Sequence, residues 1–159
     1  MRNYYAKGNV NLTGNTGSFE GTDPFDGEPS SADHINIEAQ WRITDNFQLG
    51  GWFGSTFART EGDSDEDVTL VFGALTLAFP DLVKEGSLGG IVFGVPPVIT
   101  NSNAGVDDDD TSILFEVFYR FQMNNNIAIT PGLFFVTNPN HDSDNDTIWV
   151  GRVRTQFRF

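Results

Sequence analysis

The last fourteen residues, Asp146 to Phe159 (DTIWVGRVRTQFRF), alternate in character along their length. As a strand they place Trp149, Gly151, Val153, Thr155, Phe157 and Phe159 on one face. Arg152, Arg154, Gln156 and Arg158 take the other. A soluble sandwich turns its apolar face inward and its charges out. A barrel in a lipid bilayer inverts this, with apolar side chains towards lipid and arginines towards a wet lumen. Several other segments of the chain repeat the pattern.

Eight strands are expected: 3–11, 33–43, 47–58, 67–79, 87–95, 112–122, 127–137 and 147–159. Segments of about 9 to 12 residues exceed the soluble norm and suit a tilted crossing of a bilayer. Ile35, Ile37, Ala39, Trp41 and Ile43 oppose His34, Asn36, Glu38, Gln40 and Arg42. Ile113, Phe115, Val117, Tyr119 and Phe121 oppose Glu116, Arg120 and Gln122. The segments 67–79 and 87–95 are apolar on both faces. An inserted loop or a subunit contact would explain them. Aromatic residues gather near strand ends: Trp41, Phe47, Phe121, Phe157 and Phe159 at one end, Phe57, Phe135 and Trp149 at the other. That is where the two aromatic girdles of a membrane barrel belong.

The connections alternate in length. Thr44–Asn46 and Asn124–Asn126 are tight turns, and Pro80–Gly86 is only slightly longer. Between them lie the long polar loops 12–32, 59–66, 96–111 and 138–146. Outer-membrane barrels have short periplasmic turns and long external loops. With a periplasmic C-terminus, every short turn falls on the periplasmic side.

Charge follows the same division. Net charge is −13, which argues against a nucleic-acid partner, because phosphate would be repelled. Most of the 22 acidic residues lie in the long loops or beside them. They include Glu20, Asp23, Asp26 and Glu28; Glu61, Asp63, Asp65 and Glu66; Asp107, Asp108, Asp109 and Asp110; and Asp142, Asp144 and Asp146. Of the nine basic residues, Arg42, Arg120, Arg152, Arg154 and Arg158 fall on polar strand faces. The expected arrangement is an acidic outer rim above an arginine-bearing wall. The rim either concentrates cations or merely keeps the loops solvated. The wall lining is expected to comprise Glu38, Gln40, Arg42, Glu116, Arg120, Arg152, Arg154 and Arg158. These residues set ion preference, pair with one another, or do both.

Little supports catalysis. Cysteine is absent, so thiolate chemistry and disulfides are excluded. His34 and His141 lie far apart in sequence and have no metal-ligand or nucleophile spacing. His34 is expected at the rim or in the lumen, and His141 in a loop. Ser87 and Ser112 lack a sequence setting for a catalytic triad. The pairs Gly50-Gly51 and Gly89-Gly90 precede no helix, so they mark bends or close approaches rather than phosphate loops. The acidic runs lack the glycine and distal glutamate of an EF-hand, which leaves at most weak loop calcium. No cofactor and no enzymatic activity are expected.

Three segments carry a family resemblance: NFQLGGWFG (Asn46–Gly54), LTLAFPDLVKEGSLGGIVFGVPP (Leu75–Pro97) and the stretch from FEVFYRFQ to QFRF (Phe115–Phe159). Together they resemble the C-terminal half of cyanobacterial outer-membrane iron-uptake porins, which are similar to carbohydrate-selective porins. The terminal aromatic also resembles the end-signal of bacterial outer-membrane barrels. The resemblance implies an all-β, antiparallel transmembrane barrel segment, about eight of roughly sixteen strands. Residues 1–159 would form the C-terminal portion of the barrel domain. Implied too are a location in the outer membrane and passive diffusion of small hydrophilic solutes, iron or sugars among them. The partners implied are outer-membrane lipid, the remaining strands of a longer chain, and further copies in a homotrimer. Met1 is expected to open partway through a strand, with no apolar leader in MRNYYAKGNVNL. Two other classes compete: a soluble β-barrel or sandwich with a ligand inside, and a small membrane barrel acting as an adhesin or anchor.

Overall fold

The computed structural model describes every residue from Met1 to Phe159. Eight antiparallel strands form one sheet in sequence order. They are β1 (Arg2–Tyr5), β2 (Ser30–Thr44), β3 (Phe47–Thr60), β4 (Asp67–Pro80), β5 (Leu88–Ser102), β6 (Ile113–Asn124), β7 (Ile127–Thr137) and β8 (Ile148–Phe157). β1 and β8 do not pair with each other, so the sheet is open. All short turns lie at one end and all long connections at the other, as the loop lengths predict.

Register fixes the faces. Glu38 stands opposite Trp52, Trp52 opposite Ala74, and Ala74 opposite Gly94. Gly94 stands opposite Leu114. One face therefore runs continuously through Glu38, Gln40, Arg42, Glu116 and Arg152, and the other through Ile37, Phe53, Leu75, Phe93 and Val153. We call these the inner and outer faces. The outer face is unpacked: Ile37 is 72% exposed, Trp149 62% and Val153 73%. A soluble sandwich would bury these residues, so this arrangement corrects that alternative. The outer-face aromatics form two bands. At the turn end Phe47 stacks on Phe79 with ring centroids 5.3 Å apart, and Lys84 Nζ lies 4.9 Å over Phe121. At the loop end Phe135 contacts both Phe115 and Trp149.

The first strand differs from expectation. It stops at Tyr5, and residues 6–29 form a strap that folds back onto the inner face. Val10, Leu12 and Phe25 of the strap pack with Ala32, Ala58, Val68, Leu70 and Ile99 in the molecule's one buried apolar cluster. This explains why the first half of β4 is apolar on both faces: Val68 and Leu70 lie beneath the strap. The strap carries one short helix, α1 (Phe19–Thr22). Ser18 caps it, its Oγ accepting from Gly21 N–H.

A second difference concerns β5, which runs on through Pro96 and Pro97 to Ser102 rather than ending at Val95. Proline cannot donate to a ladder, so within sheets it is confined to edges and bulges. Beyond Gly94, β5 pairs with β4 alone, and shifts in register interrupt that pairing. Adjacent nitrogens point to opposite edges, and both sides are open here: the edge towards β6 is free, and on the β4 side residues 96 and 97 bulge opposite Phe72, so both prolines fit. Of the two glycine pairs, Gly90 has a definite cause. A Cβ there would lie 2.2 Å from Cζ of Phe118, whose ring lies across the strand.

Candidate pore wall and strap

The expected lining residues share the inner face. Alternation in β2, β6 and β8 directs Glu38, Gln40, Arg42, Glu116, Arg120, Arg152 and Arg154 to it. Arg158 follows at the turn end beside Gln122, Asn126 and Gln156. Gln40 donates to Gln48 at 3.2 Å. Arg120 donates to the Gly86 carbonyl at 3.0 Å and so lies along the 81–87 turn. Arg152 pairs with Glu116 across β7. It can do so because Gly132, its register partner, presents no side chain: a Cβ there would lie 3.3 Å from Arg152 Nε. The other ion pair joins Arg2 to Asp33, so Arg42, Arg154 and Arg158 have no carboxylate partner. The turn half of the inner face is thus rich in amides and net positive.

The loop half differs. The strap and the wall enclose a cleft of about 460 Å³. Leu12, Thr13 and Thr16 face His34, Trp52, Thr56 and Phe72 across it. His34 lies on the inner face as expected, its Nδ1 2.9 Å from Thr56 Oγ1. Trp52 and Phe72 are inner-face aromatics that the sequence did not single out, because Trp52 adjoins the outer-face Phe53 and β4 is apolar on both faces.

The acidic loops cluster at the loop end. Several of their carboxylates accept from nearby main-chain N–H groups. Asp108 Oδ2 accepts from Ile99 at 2.6 Å, and Asp110 Oδ1 from Thr111 at 2.7 Å. Asp142 Oδ1 accepts from Asp144 at 2.8 Å. Glu61 accepts from the hydroxyl of Ser31. The Asn103 side chain accepts from Asp67 N–H and donates to the Asp67 carboxylate and the Asp65 carbonyl, tying the β3–β4 loop, Glu66 included, to the end of β5. Glu61, Asp63, Asp65, Asp107, Asp109 and Asp144 complete the rim. No three of the chain's His, Asp and Glu side chains converge closely enough to hold a metal ion.

Sequence reasoning placed His141 in a loop. There it is, but fully buried, and Ser112 lies against it. The contact is not a nucleophile–base pair. Ser112 Oγ donates to the Asn138 carbonyl at 2.6 Å, and the imidazole bonds the main chain of Ser112 rather than its hydroxyl. Ser112 is 2% exposed, so no substrate reaches it.

Residues 2–159 match the family described as "Carbohydrate-selective porin, OprB family". The chain is 35% identical to the uncharacterized protein sll0772 of Synechocystis sp., covering 99% of this chain and 32% of that one. It is 31% identical to the uncharacterized protein alr4550 of Nostoc sp., over 82% of this chain and 22% of that one. The chain therefore spans about a third or less of the length of these relatives. No solved structure matches it.

Proposed function

Because the chain belongs to the OprB family of carbohydrate-selective porins, we propose that it supplies about half of the wall of an outer-membrane channel for small hydrophilic solutes, sugars among them. The observation that carries this is the inverted sheet: an exposed apolar outer face with an aromatic band at each end, and an inner face of amides and arginines. Lipid satisfies the first and water the second. Solutes pass by diffusion, and no bond is made or broken. The unpaired Arg42, Arg154 and Arg158 bias the wall towards anions or towards solute hydroxyl oxygens.

A second reading concerns inorganic cations such as iron, and the acidic loop end favours it. A cluster of one sign at a mouth raises the local counter-ion concentration. Asp107, Asp108, Asp110 and Asp142 accept from main-chain N–H groups and no three acids converge on one point, so enrichment there is diffuse rather than a chelating site.

The test is reconstitution of the complete gene product in planar bilayers and in liposomes. Discrete conductance steps and swelling in isotonic sugar are expected. A folded, inserted protein giving neither result would defeat the channel function and leave the anchor class standing.

A further inference from the structure

The strap touches several neighbouring loops: the Pro29 carbonyl accepts from Glu61 N–H, and Ala104 and Val106 pack on its buried side chains. Its contact with the turn Pro139–His141 is centred on His141. Ser112 N–H donates to its Nδ1 at 2.8 Å. A ring nitrogen that accepts carries no hydrogen, so Nε2 carries it and donates to the Pro97 carbonyl at 2.9 Å. The main-chain N–H of His141 donates to Ser112 Oγ at 3.1 Å, and its carbonyl accepts from Asp110 N–H at 2.8 Å. One buried residue thus ties the second half of β5 to the 103–112 loop that leads into β6.

The strap rests on this knot. Gly17 has φ +88°, and a Cβ there would lie 2.3 Å from the Pro97 oxygen and 3.5 Å from His141 Nε2. Two residues on, Phe19 N–H donates to Asn140 Oδ1 at 2.8 Å. The seat is held in an unusual backbone. Asn138, Asn140 and His141 have φ of +46°, +63° and +54°, in the left-handed region that non-glycine residues seldom occupy. Such a backbone persists only where its surroundings over-determine it. Here they do, through the buried imidazole.

We propose that His141 is a positioning residue for the channel. It shapes the 138–141 turn into the seat of the strap and thereby sets the open width between strap and wall beside His34, Trp52 and Phe72. This rests on the channel function proposed above. A neutral imidazole suits the role because it presents one acceptor and one donor to two backbone groups, one buried at Ser112 and one half-buried at Pro97. A glutamine offers the same pair, and a leucine offers neither.

The test compares wild-type complete gene product with His141→Gln, His141→Leu and Asn140→Ala by single-channel recording. In parallel, chymotrypsin cleavage after Phe25, only 3% exposed in place, reports strap release. His141→Gln is expected to conduct as wild type with Phe25 protected. His141→Leu is expected to raise conductance about twofold, or to flicker between two levels, as the constriction opens, with Phe25 cleaved. Asn140→Ala, which removes only the Phe19 tie, moves both readouts in the same direction but less. A folded His141→Leu with wild-type conductance and a protected Phe25 overturns the proposal, as does a His141→Gln that behaves like His141→Leu. Should His141→Leu fail to fold, an Asn140→Ala unchanged in both readouts overturns it. A wild-type protein that never conducts would sink the channel function, and the cleavage series would still judge the latch.

Discussion

At the scale of single residues, the wall is decided by which charges are neutralised. Arg152 crosses β7 over Gly132 to reach Glu116, so this pair contributes little net field to the inner face. Partly exposed pairs of this kind stabilise by about 1 kcal/mol or less. Glu116→Gln should therefore change the denaturation midpoint only slightly. It should also leave Arg152 uncompensated beside Arg154, and reversal potentials in a salt gradient should shift towards anions. An unchanged potential would mean that Arg152 does not face the permeating ions. Leu70 belongs to the opposite kind of site. It is 0% exposed, held between β4 and the strap. Leu70→Ala removes packing and leaves a void, a loss of about 2–5 kcal/mol. The expected result is faster chymotrypsin cleavage after Phe25, with the membrane-facing sheet intact.

At the scale of elements, the two faces of each strand should respond oppositely to charge. Val153 lies mid-strand on the outer face of β8, and an arginine there should cost about 2–4 kcal/mol at the bilayer midplane. Gln40→Arg, on the inner face of β2, should be tolerated. Folding yields in lipid vesicles measure both, and equal tolerance would dissolve the assignment of faces. This division was legible in the sequence because a period of two survives any tertiary context that leaves one face in lipid. It is plainest in β2, β6 and β8. The extension of β5 was not legible, since Pro96-Pro97 reads as a stop. It is permitted because β5 has no β6 partner beyond Gly94 and bulges at residues 96 and 97 against β4, both facts of register. The strap was illegible for a related reason. Val10, Leu12 and Phe25 follow no period, and their burial comes from contact with β4 and β5, far away in sequence. His141 likewise looked like an ordinary loop residue. The only local hint was its neighbours Asn138 and Asn140, a residue type that tolerates left-handed backbone.

At the scale of the whole molecule, the governing fact is two free edges. Each strand from β1 to β8 pairs with the next in sequence order, but nothing pairs the far side of β8 along Ile148–Phe157, and β1 covers only four residues of β2. In hydrocarbon such edges are untenable, because each unpaired amide costs several kcal/mol with no water to bond it. The sheet therefore calls for further strands, and relatives about three times its length have chain enough to supply them. Eight strands closed on themselves would also leave an interior just wide enough for side chains to fill. Here that interior already holds the strap. The 159 residues refolded alone in detergent should accordingly show strand-rich circular dichroism, associate through their edges, and give no discrete conductance steps. The complete gene product should give them. Steady, sugar-permeable steps from the isolated piece would show that these strands close unaided around an open lumen, and the strap could not then lie where the buried Leu70 places it.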